Sequence, residues 1–154
     1  MKRLVTIILL TATINSLSEN MERISTLKVQ DDRNVPEPKE DRSKTMLRLF
    51  NAVVKHESLD GKLLIGDGGA AHGHAQIHKI MVDDLNRILG KNIFTYEDRM
   101  CRDKSFLMFA TFQDHYNPEL DIKKACMMWN AGVDCEPLDK AESYYRKVME
   151  FYES

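Results

Sequence analysis

Glu57 is the residue of this chain best placed to move a proton. It sits where an apolar-faced helical pattern ends, and a glycine-rich stretch follows almost at once. A carboxyl at such a junction has a rigid backbone behind it and a loop beside it, so its side chain can point into a cleft. Breaking a glycosidic bond calls for such a group: an acid that delivers a proton to the leaving oxygen while a positively charged sugar develops. The acid must stay protonated near neutral pH. Burial among apolar neighbours therefore has to lift its pKa from ~4.3 toward ~6. From position alone, a solvated glutamate at a helix end is the simpler reading, and the residues around Glu57 have to decide.

Two other groups of side chains invite chemistry. His72, His74 and His78 are spaced H-x-H-x3-H. On a strand all three would point to one face, and three imidazoles so close are a possible zinc set. No HExxH-type motif accompanies them. The three cysteines, Cys101, Cys126 and Cys135, form no CxxC pair, and an odd count leaves at least one thiol unpaired. A Cys126–Cys135 disulfide closing a short loop and three free thiols are both compatible with the sequence.

The elements that must position these groups can be read from periodicity. Ser43 is the expected N-cap of a helix running to about His56, with Met46, Leu47, Leu49, Phe50, Val53 and Val54 on a core face. Residues 59 to 78 are irregular: five of the seven glycines lie between Gly61 and Gly73. Lys62 to Ile65 is expected as a short strand before a turn at Gly66–Asp67–Gly68–Gly69, where glycine lets the backbone reach positive φ and approach a ligand. Helical patterns then cover Ile80 to Leu89 (stopped by Gly90), Asp103 to about Tyr116, Asp121 to Trp129 (with Asp121 as cap) and Ala141 to Tyr152. The expected fold class is mostly α (α+β), helical with a small β element near Gly66.

The stretch His56 to His78 reads HESLDGKLLIGDGGAAHGHAQIH. It resembles the catalytic segment of goose-type lysozymes and the related soluble lytic transglycosylases. Glu57-Ser58 matches their Glu-Ser pair, Gly61-Lys62 a Gly-Lys pair, Gly66-Asp67-Gly68-Gly69 a Gly-Asp-x-Gly turn, and Gly73-His74-Ala75-Gln76 a Gly-x-x-Gln element beside the cleft. Trp129-Asn130-Ala131-Gly132 stands where transglycosylases carry Tyr-Asn-Ala-Gly. Tyr144-Tyr145-Arg146-Lys147-Val148 resembles their terminal Tyr-Val-x-x-Val signature, with Tyr144 on the substrate-facing tyrosine. The similarity spans about Ser43 to Tyr152. Two departures stand out: only the ends of the usual Gly-Leu-Met-Gln agree, and His78 replaces a water-holding aspartate.

The resemblance implies a lysozyme-like domain that cleaves the β-1,4 bond between N-acetylmuramic acid and N-acetylglucosamine in peptidoglycan. Glu57 would be the general acid and Asp67 the residue that assists water or substrate. Gln76, His78, Trp129, Asn130 and Tyr144 would line the cleft. Each has a plainer reading: Asp67 as an Asx-turn residue, Gln76 as a loop tie, Trp129 as a core indole, Asn130 as a helix-end cap. Two outcomes of cleavage stay open. In an inverting hydrolase Asp67 would activate water, with the two carboxyls ~6.5–9.5 Å apart. In a lytic transglycosylase the sugar's own hydroxyl attacks and leaves an anhydro end. A non-catalytic glycan-binding protein on the same fold is the alternative from another class. The implied chemistry is proton transfer and electrostatic stabilisation, so no cofactor and no metal is expected.

Composition bounds these readings. The 154 residues suit one domain, with 43% hydrophobic and 30% charged residues. Twenty-two basic residues face twenty-four acidic ones, with no basic stripe, so nucleic acid is not an expected partner. Lys2 and Arg3, the apolar run Leu4 to Ile14, then Ser16 and Ser18 follow the plan of a secretory signal over residues 1–18. The run is too short for a comfortable membrane span of ~20 residues. Residues 19–42, polar with Pro36 and Pro38, read as a linker, and 43–154 as the catalytic domain. The expectation is an exported monomer, periplasmic or extracellular.

Overall fold

The computed structural model describes residues 41–154, within a compact unit spanning Lys39–Ser154. The expected signal segment and nearly all of the expected linker lie outside the described residues. Five α-helices and one two-stranded antiparallel sheet make up the described part: α1 Arg42–Ser58, β1 Ile65–Gly66, β2 Ala71–His72, α2 Lys79–Leu89, α3 Arg102–Tyr116, α4 Ile122–Ala131 and α5 Leu138–Tyr152. Short 3-10 turns at Asp67–Gly69 and Glu97–Met100 complete it. The fold is mostly helical with a small β element, as the periodicity implied.

Helix α1 is the central element. Leu49, Phe50, Ala52, Val53 and Val54 are all fully buried, so it is enclosed on more than one side. It packs against α5 and α3, and α4 packs against α5. Its cap is Asp41, whose carboxylate accepts from the Ser43 N–H, so the helix starts before the expected Ser43. Leu47 was expected in the core but faces solvent, 48% exposed, because the buried stripe runs through Met46, Leu49, Phe50 and Val53 instead. Helix α1 also runs on past His56 to Ser58.

The later helices stop and start for local reasons. Gly90, at φ 67°, ends α2 in the left-handed region. Asp121 caps α4 by accepting from the Lys124 N–H at 2.8 Å. The aromatic centre of the core joins three helices: Phe109 lies edge-on to Trp129 at 4.8 Å, and Phe50 stands 5.7 Å from Phe109.

The β element differs in place from the expected strand at Lys62–Ile65. The Leu63 N–H returns to the Ser58 carbonyl, so the chain is still turning out of α1 there. Pairing begins only at Ile65↔His72 and Gly66↔Ala71. The hairpin turn needs three successive left-handed residues, Asp67, Gly68 and Gly69, at φ 47°, 61° and 95°. Glycine allows two of these without steric cost, and aspartate is among the side chains that tolerate the third.

Candidate active site

A cleft of about 920 Å³ runs between the β element, α2 and the helices α3 and α4. Its volume is at the upper end for small-ligand sites and leaves room for more than one sugar ring. Glu57 reaches it from the last turn of α1. The turn that follows is locked by Ser58, which is fully buried. Its hydroxyl donates to the Val54 carbonyl at 3.1 Å and accepts from the Gly61 N–H at 2.9 Å. Leu59 then enters the left-handed region and the helix ends. The serine of the Glu-Ser pair therefore fixes the backbone on which the glutamate stands.

Tyr144, on α5, donates its hydroxyl proton to Glu57 Oε1 at 2.6 Å. Two forces act on this carboxyl. Burial penalises the charged form and pushes the Glu57 pKa up, while the Tyr144 hydrogen bond favours the charged form and offsets part of that rise. The net direction is upward. Glu57 also lies at the C-terminal end of a helix, where the backbone dipole disfavours a negative charge. Burial, and then the charge of Glu57, raise the Tyr144 pKa well above its ordinary value, so the phenol stays a donor. On its other side the Tyr144 ring meets His56 edge-on at 4.9 Å. His56 is itself pushed toward the neutral form, first by burial and then by Lys147.

Across the cleft wall, Asp67 and His78 face each other, with Oδ2 to Nε2 at 3.4 Å. Both are open to solvent, with side chains 70% and 46% exposed respectively. Gln76 lines the cleft, and its amide Nε2 donates to the Leu63 and Gly73 carbonyls at 3.1 and 2.9 Å. That nitrogen is occupied in tying the loop together. A Cβ at Gly66 would collide with Gln76 Oε1, so glycine is needed there for the loop to close on this side chain.

Trp129 and Asn130 both line the cleft from α4. The indole is only 9% exposed, packs on Phe109 and Phe112, and donates Nε1–H to the Ala75 carbonyl at 3.3 Å. It forms wall rather than an open stacking platform. The side-chain oxygen of Asn130 is buried and has no hydrogen-bond partner. An acceptor in that state is disfavoured unless a ligand or water supplies a donor.

No family model matches the chain, and no curated protein or solved structure is similar to it.

Each singled-out residue has thus a definite place. Glu57, Asp67, Gln76, His78, Trp129 and Asn130 share one cleft. Tyr144 is buried behind Glu57 and is not among the residues lining the cleft. The three histidines diverge: His72 bonds the Gly69 carbonyl, His78 meets Asp67, and the His74 ring packs against Gly61. Among the described residues no group of three or more His, Cys, Asp or Glu side chains is placed to hold a metal ion. The three cysteines are free, and burial pushes the Cys126 thiol up to about 12.

Sequence reasoning missed several cleft residues. Ile80, Met81, Asp84, Phe112, Tyr116 and Lys140 are among those that also line it. Helical periodicity marks most of these as core or surface, and nothing local marks them as facing a cleft. Arg99 was also missed. It is 2% exposed, and it donates to the backbone carbonyls of Tyr96 and Ile77 at 2.7 and 3.0 Å and to that of Ala70 at 3.4 Å. It pins the β element from behind.

Proposed function

We propose that this chain is a peptidoglycan muramidase of lysozyme-like fold, cleaving between N-acetylmuramic acid and N-acetylglucosamine with Glu57 as general acid. One observation carries the reading. Glu57 is a half-buried carboxyl whose pKa is raised, held at 2.6 Å by a phenol, and it lines a sugar-sized cleft beside the β element. The motif resemblance supplies the substrate, and burial pushes the pKa of the acid upward, the direction a general acid needs.

Protonated Glu57 delivers its proton to the glycosidic oxygen as the C1–O bond breaks. The positive charge that develops on the sugar is stabilised by the carboxylate left behind. Water attacks C1 and gives up one proton to the Asp67 carboxylate, which is accessible to solvent and lies 3.4 Å from His78. Tyr144 acts through Glu57 and is a positioning residue. No cofactor enters these steps. The expected setting is an exported monomer acting on wall glycan strands.

Mass spectrometry of peptidoglycan digested with residues 41–154, beside Glu57→Gln, tests the reading. The expected result is reducing-end muropeptides, with the rate down by at least ~10²-fold in the variant. Anhydro-ended products would make the enzyme a lytic transglycosylase and leave Asp67 without a water to activate. Binding of glycan strands with no release of products by the folded protein would replace the enzyme with a glycan-binding module.

A further inference from the structure

Asp67 and His78 cannot hold each other in place. Both side chains are exposed, and a solvent-facing pair of this kind does little to fix its own geometry. Their separation is set by the backbones that carry them. Asp67 opens the hairpin turn, which closes when the Ala70 N–H returns to the Asp67 carbonyl at 3.1 Å. His78 directly follows Ile77, and Ile77 exchanges main-chain hydrogen bonds with His72 at 3.1 and 2.8 Å. The named strands pair over only Ile65↔His72 and Gly66↔Ala71, and so short a two-stranded ladder has little rigidity of its own.

One atom joins these two stretches of backbone. Arg99 Nη1 donates to the Ile77 carbonyl at 3.0 Å and to the Ala70 carbonyl at 3.4 Å. The arginine is itself held. Its Nε donates to the Tyr96 carbonyl at 2.7 Å, and its own carbonyl accepts from the hydroxyl of Ser105, a fully buried residue of α3, at 2.8 Å. Hydrogen bonds from a cation are strong, and at a residue almost closed to solvent water does not replace them. The hairpin is thus placed relative to α3 through Arg99, and not by its own short ladder. We propose that Arg99 is a positioning residue for the Asp67–His78 pair. It fixes the spacing of the two side chains at the cleft and, through Asp67, the place of the attacking water. That last step rests on the muramidase reading, and the alignment of the pair does not.

The test compares the full chain with Asp67→Asn, Arg99→Ala and the double variant. The first readout is the Cε1–H signal of the His78 ring in NMR, assigned through His78→Gln and read at one neutral pH. In the parent, Asp67→Asn removes a charge 3.4 Å from His78 Nε2 and should move that signal. On the Arg99→Ala background the same replacement should leave it nearly in place. The signal comes from folded molecules, so a loss of stability alone would not produce this result. The second readout is kcat on peptidoglycan. Asp67→Asn should cost about 10²-fold in the parent and less than about threefold after Arg99→Ala, because a misplaced Asp67 has little left to lose. A destabilised enzyme with Asp67 still in place would instead show the two losses multiplying. Should Arg99→Ala not fold, Arg99→Lys carries the same comparison: it keeps the charge, but one ammonium cannot take the places of both Nε and Nη1. A His78 signal that ignores Asp67→Asn in the parent, a shift of parent size in either Arg99 variant, or multiplying losses in kcat would each overturn the proposal. Glycan left uncut by the parent would strike at the muramidase reading, and the NMR comparison would still decide the role of Arg99.

Discussion

Glu57 gives up stability to keep its proton. The folded protein holds that proton more tightly than the unfolded chain does, because burial raises the folded pKa above the ordinary value of 4.5. The sign follows from proton counting. Below the unfolded pKa both states are protonated and the contribution is fully present. As pH rises through the raised folded value the folded state must ionise a half-buried group, and that stability is lost. Glu57→Gln cannot ionise and can still accept from Tyr144. It should match the parent protein in urea melts near pH 4 and exceed it near pH 7. A gap of the same size at both pH values would contradict this account. Tyr144→Phe should act in the opposite sense on the acid. Without the phenol the ionised form loses its donor, so the Glu57 pKa rises further and the alkaline limb of the pH–rate profile moves up. The fold should lose only about 1–2 kcal/mol. An alkaline limb that moves down, or stays in place, would remove Tyr144 from its positioning role.

At the scale of elements, local signals proved readable where a single residue decides the geometry. Gly90 and Asp121 end and begin helices for reasons contained in a few neighbouring residues. Glu57 at a helix end beside a glycine-rich loop is legible in the same way. The partner of Glu57 is 87 residues away along the chain, and only the motif resemblance pointed to Tyr144 at all. It pointed to a substrate contact, whereas the hydroxyl is turned to the acid. Arg99 gave no signal, because a buried arginine satisfied by backbone carbonyls has no side-chain pattern to betray it. Its effect on the loop is testable through Gly73. That residue sits at φ 80°, and a Cβ there would land on the Arg99 carbonyl oxygen. Gly73→Ala must therefore relieve both a strained backbone and a collision with main chain. The expected cost is about 2–4 kcal/mol in chemical denaturation, and a neutral effect would mean the loop packs differently from this description.

In the described unit, residues 41–154, α5 and α3 pack against α1, and the β element follows where α1 ends. Mostly-α class was legible because long periodic segments carry their own evidence. The hairpin slipped by a few residues because two-residue strands have almost no pattern of their own, and their pairing depends on where α1 stops turning. Trp129 ties the two regions together, since it packs on α3 aromatics and bonds the loop carbonyl of Ala75. Trp129→Ala should cost about 3–5 kcal/mol, as for other buried large aromatics. In the parent protein this single indole should emit at short wavelength when folded and shift to the red in one step with helix loss during a melt. An emission change that precedes helix loss would show that the cleft wall opens as a separate unit.

The carbonyl clamp made by Arg99 carries a consequence for acid conditions. A guanidinium keeps its charge at every pH a protein survives. The clamp uses no carboxylate: its donors go only to main-chain carbonyls. Falling pH therefore leaves the clamped backbone of the β element held by a contact that depends on no side-chain anion.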